Sequence, residues 1–160
     1  MRILLTGANG YIGKRLFPVL INMGHEIICC VRDKNRLFID KELMENVEIV
    51  EADFLKLYTL DNIPNNIDGA YYLIHSMSSN AKNFDEMESI AAYNFRERIQ
   101  ETNVKHVIYL GGIVNDANLS KHFLGRNAGI FKIVWSFRTI HSGFVIYVFN
   151  VRHINIDYSV

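Results

Sequence analysis

The chain has 160 residues, room for one domain able to bury about 70% of the surface its unfolded form exposes. Its 17 basic residues balance its 17 acidic ones, so no global field argues for nucleic acid, an acidic polymer or a charged membrane as partner. No segment approaches the ~18 uninterrupted apolar residues of a membrane span, and the apolar start Ile3 to Leu5 is too short for a signal-peptide core; the expectation is a soluble, unprocessed, cytoplasmic protein.

In chain order, Met1 to Thr6 reads as a short strand. Tyr11 to Met23 follows as a helix, with Ile12, Leu16, Val19 and Leu20 at helical spacing, and Gly24 stands at its C′ position. A second strand is expected at Glu26 to Val31. There Cys29 and Cys30 point to opposite faces and are expected as buried free thiols, which makes a reducing compartment the default. A short helix around Arg36 to Met44, a third strand at Val47 to Glu51, a polar connection to Pro64 and a fourth strand at Gly69 to Ile74 come next. A long helix from Phe84 to Thr102 places Phe84, Met87, Ile90, Ala91 and Ile99 at three- and four-residue spacing, and Lys105 to Leu110 forms the fifth strand. Strands alternating with helices predict an α/β fold: a Rossmann-type, doubly wound parallel sheet of five or six strands with helices on both faces.

Between the first strand and helix, Gly7, Gly10 and Gly13 stand in a G-x-x-G-x-x-G pattern that also takes in Asn9, Tyr11 and Ile12. Gly7 suits a tight turn, Gly10 lets the backbone approach a diphosphate, and Gly13 lets the helix pack close to the strand. The free N–H groups and positive dipole end of the helix then face the phosphates of a nicotinamide dinucleotide. The alternative is a glycine-rich connection that serves packing only.

Such folds choose their ribose at the end of the second strand, where a carboxylate suits the 2′-hydroxyl of NAD and an arginine a 2′-phosphate. Arg32 comes first here and favours NADP; Asp33 leaves NAD open, or caps the next helical turn. After the third strand, Asp53 is placed to accept from the adenine amino group while Phe54 covers the ring, and an N-cap role for Asp53 is the alternative.

These residues together resemble the short-chain dehydrogenase/reductase superfamily, in particular its atypical NAD(P)-binding branch with NmrA-like and bacterial oxidoreductase-like proteins. The likeness continues through Tyr71-Tyr72-Leu73-Ile74-His75-Ser76-Met77, Asn94-Phe95, Ile108-Tyr109-Leu110-Gly111-Gly112-Ile113 and Leu119-Ser120-Lys121-His122, and covers about residues 1–126. By this resemblance Leu73, His75 and Ser76 line the ribose and diphosphate side, and Gly111 and Gly112 lie under the nicotinamide. Backbone satisfaction in a loop, for His75 and Ser76, and strand-end geometry, for the glycines, are the plain alternatives.

Classical members of the superfamily use a serine after strand five and a Tyr-x-x-x-Lys helix, whose lysine lowers the tyrosine pKa. Here Gly111-Gly112 stands where the serine is expected, Lys121 has Ala117 four residues earlier, and Tyr109 reads as a packed side chain. Ser120, Lys121 and His122 are the remaining candidates for proton transfer or substrate contact, with a solvated helical turn as the alternative. The histidines are scattered without metal-ligand spacing, so no metal is expected.

The last stretch differs in charge. Residues 1–116 carry 12 Lys/Arg and 16 Asp/Glu, whereas residues 117–160 carry 5 Lys/Arg and one acid, Asp157. Residues 127–160 read as an atypical tail of a single 1–160 NAD(P)-binding domain: either a helix near Phe123 to Arg138 and a sixth strand at Phe144 to Phe149, or an out-of-register or truncated end. The expected function is an NADP-linked oxidoreductase acting on an unknown small molecule, with a homo-oligomer left open. A non-catalytic NADP-binding redox sensor or assembly module, or an inactive remnant, stands as the alternative.

Overall fold

The computed structural model describes residues 1–74, 84–111 and 145–150. Its elements are β1 (Arg2–Thr6), α1 (Tyr11–Asn22), β2 (Glu26–Val31), β3 (Val47–Glu51), β4 (Gly69–Tyr72), α2 (Phe84–Gln100), β5 (His106–Gly111) and β6 (Val145–Asn150). All pairings are parallel, in the order β3-β2-β1-β4-β5-β6. β1 is therefore the first strand laid down and sits inside the sheet; the chain winds outward from it in both directions, opening a crevice at the carboxyl ends of β1 and β4.

The apolar strand runs alternate in destination because successive side chains leave a strand on opposite faces. Ile3, Leu5, Ile27, Cys29 and Val31 pack with Phe17 and Leu20 of α1. Leu4, Ile28, Cys30, Ala70, Tyr72, Val107 and Tyr109 pack with Ala91, Ala92, Phe95 and Ile99 of α2. Helices thus cover both faces, as the continuous strand hydrophobicity requires. Each fully buried large apolar side chain contributes roughly 1.5–3 kcal/mol, and Leu4, Leu5, Ile27, Ile28, Phe95 and Ile99 are all at this limit. Tyr109 is buried and stacked on Tyr72 at a centroid distance of 5.9 Å, a packed residue as expected. Cys29 and Cys30 are buried and unbridged.

α1 ends in a Schellman arrangement: Gly24 N–H donates to Ile21 O at 2.9 Å, His25 N–H to Leu20 O at 3.2 Å, and Gly24 takes φ +79°. β6 begins and ends one residue later than the strand anticipated at Phe144 to Phe149 and extends β5 in parallel.

Four local expectations are corrected. Arg36 to Met44 is not one helix; Lys34–Arg36 and Lys41–Asn46 are separate 3-10 turns flanking a stretch in which Leu37 and Ile39 lie against the α1 side of the core. Val19 is exposed and Phe17 is buried instead, while on α2 Ile90 is exposed and Phe95 is fully buried. β4 stops at Tyr72 rather than Ile74, because β1 turns away at Gly7 and leaves no backbone ladder for Leu73. The helix expected at Phe123 to Arg138 lies outside the described residues.

Candidate functional site

Parallel pairing brings the carboxyl ends of β1 to β5 to one edge of the sheet, so Gly7, Arg32, Asp53, Leu73 and Gly111 all lie along it. The centre of that edge is the turn between β1 and α1. Gly7 N–H donates to Cys30 O at 3.2 Å, and Gly10 N–H closes the turn onto Gly7 O at 2.9 Å. Gly7 has φ +66°, a left-handed conformation that costs an L side chain roughly 1–2 kcal/mol. A Cβ on Gly13 would sit 2.3 Å from Gly7 O and 2.8 Å from Ala8 Cα, so a hydrogen is all the helix can carry there.

The mouth of α1 is bare. Its N-cap, Gly10, offers no side-chain acceptor, and its first turn holds no acid. The first helical bond is Lys14 N–H to Gly10 O at 3.0 Å, which leaves the amides of Tyr11, Ile12 and Gly13 without a backbone acceptor among the described residues. Three unpaired donors on the positive end of a helix dipole, reached across hydrogen-only glycines, fit an anion such as a diphosphate. Asn9 is half-buried in the turn and Ile12 half-buried in the first turn of the helix. Tyr11 is exposed, and the Arg15 guanidinium lies 3.6 Å from its ring centroid.

Thr6 holds this turn against β4. Its buried hydroxyl donates to Tyr71 O at 2.9 Å and accepts from Leu73 N–H at 3.0 Å, taking over the ladder where the β1 backbone departs. The Leu73 carbonyl then lies 3.2 Å from where a Gly7 Cβ would be, which fixes the width of the crevice.

At the end of β2, Arg32 is exposed and has no hydrogen-bond or ion-pair partner among the described residues. Asp33 is the N-cap of the following 3-10 turn, its carboxylate accepting from Asn35 N–H at 3.0 Å. At the end of β3, the Asp53 carboxylate accepts from Leu55 N–H at 3.1 Å. The cap reading is therefore realised at Asp33 alone; Asp53 closes a local turn onto Leu55, and the N-cap of the next 3-10 turn, Leu57–Asn62, is Lys56.

Phe54 requires a correction. Its ring is 3% exposed and packs edge-on against Phe95 at 5.7 Å and Tyr72 at 6.4 Å, so it is a core residue and offers no face to an adenine. Gly111 is the last residue of β5, paired with Asn150. His75, Ser76, Gly112, Ser120, Lys121 and His122 lie outside the described residues.

Two polar residues that hold the site were not singled out for this role by sequence reasoning. Thr6 is one; an hydroxyl at the last position of a strand, directly before the glycines, is the signal that marks it. Asn94 is the other, its Nδ2 donating to Phe54 O at 2.6 Å in the core, a partnership between positions 40 residues apart that no local pattern shows.

The two strand thiols and the β4 phenols are shifted away from neutrality. Burial pushes both Cys29 and Cys30 up to about 12. Burial, with Tyr109 and Glu88 nearby, raises Tyr72 well above the usual phenol range, and burial also raises Tyr71. Among the described residues there is no cluster of metal-ligating side chains and no helix long and apolar enough to cross a membrane.

Comparison with known proteins matches this architecture. A family model described as NAD(P)H-binding matches residues 7–135. A Saccharomyces cerevisiae protein, "Uncharacterized protein YLL056C", is 27% identical over 120 residues, covering 72% of this chain and 39% of that one. The photosystem II assembly factor Ycf39 of a Synechocystis species is 23% identical over 109 residues, covering 68% of this chain and 33% of that one. The chain thus spans well under half the length of these curated relatives. Among solved structures, the UDP-Glc/GlcNAc 4-epimerase of Campylobacter jejuni superposes with a TM-score of 0.74 at 14% identity, covering 93% of this chain and 52% of that one. The Bordetella bronchiseptica enzyme WbmF, solved with NAD+, gives 0.72 at 17% identity, covering 92% and 48%. These structural likenesses establish the Rossmann architecture.

Proposed function

This chain belongs to the NAD(P)H-binding family, and from that premise we propose that its cofactor is the 2′-phosphorylated form, NADP(H), and that it serves an oxidoreductase step on a small carbonyl or related substrate. The observation that carries the cofactor choice is the contrast at the end of β2: Arg32 is exposed and has no partner among the described residues, while Asp33 spends a carboxylate oxygen on Asn35 N–H. A guanidinium meets a phosphate with two parallel charge-assisted bonds, which a 2′-hydroxyl cannot return.

The bare amides of Tyr11, Ile12 and Gly13 would hold the diphosphate, and Thr6, by fixing Leu73 against Gly7, would keep the crevice at the width the diphosphate needs. The Asp53 carboxylate oxygen not used by Leu55 is the acceptor offered to the adenine amino group. Bound NADP(H) supplies hydride transfer. Ser120, Lys121 and His122 are the proposed proton-transfer or substrate contacts, with Leu73, His75 and Ser76 lining the ribose and diphosphate side and Gly111 and Gly112 under the nicotinamide.

Calorimetric titration with NADP and NAD tests the choice. Wild type is expected to favour NADP by at least about tenfold, and Arg32→Ala to lose that preference while keeping its NAD affinity. Equal affinity of wild type for both defeats it.

The absence of a Tyr-x-x-x-Lys pair, with Ala117 four residues before Lys121, favours a second reading: a non-catalytic NADP-binding module that reports cofactor state to a partner. It requires a partner whose affinity differs between the NADP and NADPH forms, since coupling exists only through differential affinity. NADPH oxidation across a carbonyl panel by a protein that binds NADPH decides for the enzyme.

A further inference from the structure

We propose that Asn94 is a positioning residue for the adenine end of the dinucleotide site, acting from α2 through the loop that follows β3; the proposal rests on the cofactor reading above.

Asn94 is 6% exposed on a helix face that it shares with Ala91, Ala92, Phe95 and Ile99 and with the buried Arg98. A primary amide in such surroundings is costly to bury unless it is bonded. Its one hydrogen bond shown is the 2.6 Å donation to the carbonyl oxygen of Phe54, the residue directly after Asp53.

The rest of that loop closes on itself. Asp53 N–H donates to Thr59 Oγ1 at 2.8 Å, Lys56 N–H donates to Asp53 O at 2.7 Å, and the Thr59 hydroxyl stands 2.7 Å from Lys56 O and 3.1 Å from Asp53 O. These bonds give the loop its shape and leave its placement to what reaches it from outside; its later part is held by Arg98 Nε donating to Leu60 O at 3.0 Å and by Asn62 Nδ2 donating to Glu51 O at 2.9 Å, its first part by Phe54 and Asn94. Phe54 anchors it to the core through ring contacts, which are apolar and tolerate sliding or rotation. The Asn94 bond is directional: it fixes the distance and orientation of the Phe54–Leu55 peptide, whose N–H donates to the Asp53 carboxylate.

A buried hydrogen bond adds little stability over an apolar pair of the same shape, but leaving the Phe54 carbonyl bare costs its full desolvation. Retaining the amide at this depth therefore secures orientation more than stability. What it orients is the carboxylate whose second oxygen has no partner among the described residues. Asn94 touches no part of the ligand in this arrangement; it acts through the loop.

The test titrates the full chain with NADPH, with its adenine half 2′,5′-ADP and with its nicotinamide half NMNH. Asn94→Leu is expected to weaken NADPH and 2′,5′-ADP by about tenfold each and to leave NMNH unchanged. Equal weakening of all three ligands, or an unchanged 2′,5′-ADP affinity, overturns the proposal. If Asn94→Leu does not fold, the wild-type side-chain amide resonance of Asn94 decides: it is expected to shift with 2′,5′-ADP and not with NMNH, and no shift with 2′,5′-ADP overturns the proposal. A wild type that binds none of the three overturns the cofactor reading itself, whereas a wild type that binds all three, with no such split in Asn94→Leu, overturns only the role of Asn94.

Discussion

The two ends of the candidate dinucleotide site are built in opposite ways. At the mouth of α1 the chain removes side chains, caps and acids until three amides stand unpaired among the described residues. At the loop after β3 it adds side chains, with Asp53, Thr59 and Asn94 tying the backbone into one shape. The difference follows from the ligand chemistry. A diphosphate is recognised by charge and by several donors at once, so the protein need only keep donors free and let the ligand approach. An adenine amino group is read by one acceptor at one distance, so the acceptor must be held still.

Breaking the bare end is expected to give the largest effect. Gly13→Ala places a methyl 2.3 Å from Gly7 O, against backbone that cannot step aside. Overpacking of this kind costs about 3 kcal/mol of stability. The helix mouth is displaced with it, so dinucleotide binding should weaken by about a hundredfold; thermal unfolding and titration read the two losses.

Loosening the clamp between the two ends should give an intermediate effect. Thr6→Val keeps the shape and strands both Tyr71 O and Leu73 N–H in the core. The expected cost is about 1–3 kcal/mol by chemical denaturation. Thr6→Ser, which keeps the hydroxyl, should recover most of it.

The smallest effect at neutral pH comes from the strand interior beneath the site. The Cys29 and Cys30 thiols are raised from 9.0 to about 12 by burial. A folded value above the unfolded one means that their contribution is complete below about pH 9 and is lost as pH climbs toward 12. The denaturation midpoint should fall across that window, and a Cys29→Ala, Cys30→Ala variant should show a shallower fall. Native thiols should resist alkylation at pH 8 and react once the chain is unfolded.

The contrast between the two ends also explains what was legible in the sequence. The strand-glycine-helix order, the first five parallel strands and the burial of Cys29, Cys30 and Tyr109 follow from local periodicity and turn chemistry, which the sequence displays directly; the sixth strand was one of two readings of the tail. The tight turn at Gly7, Gly10 and Gly13 was legible for the same reason, since it is made from nearly consecutive residues. Phe54 was misread because its neighbours Tyr72 and Phe95 are distant in sequence; an aromatic after a strand faces the ligand or the core depending on what the other elements supply. Thr6 and Asn94 depend likewise on partners 65 or more, and 40, positions away. The two 3-10 turns replaced one helix because Leu37, Ile39 and Leu43 are drawn onto the α1 side of the core, a tertiary demand that overrides weak local preference.

The account stands on the amides of Tyr11, Ile12 and Gly13 being the donors for the diphosphate. Amide-resolved NMR during titration with NADPH tests this directly, with inorganic pyrophosphate as a second ligand. Those three resonances are expected to make the largest shifts in the chain with either ligand, and pyrophosphate to compete with NADPH. Saturation by NADPH with these amides unmoved would contradict the account.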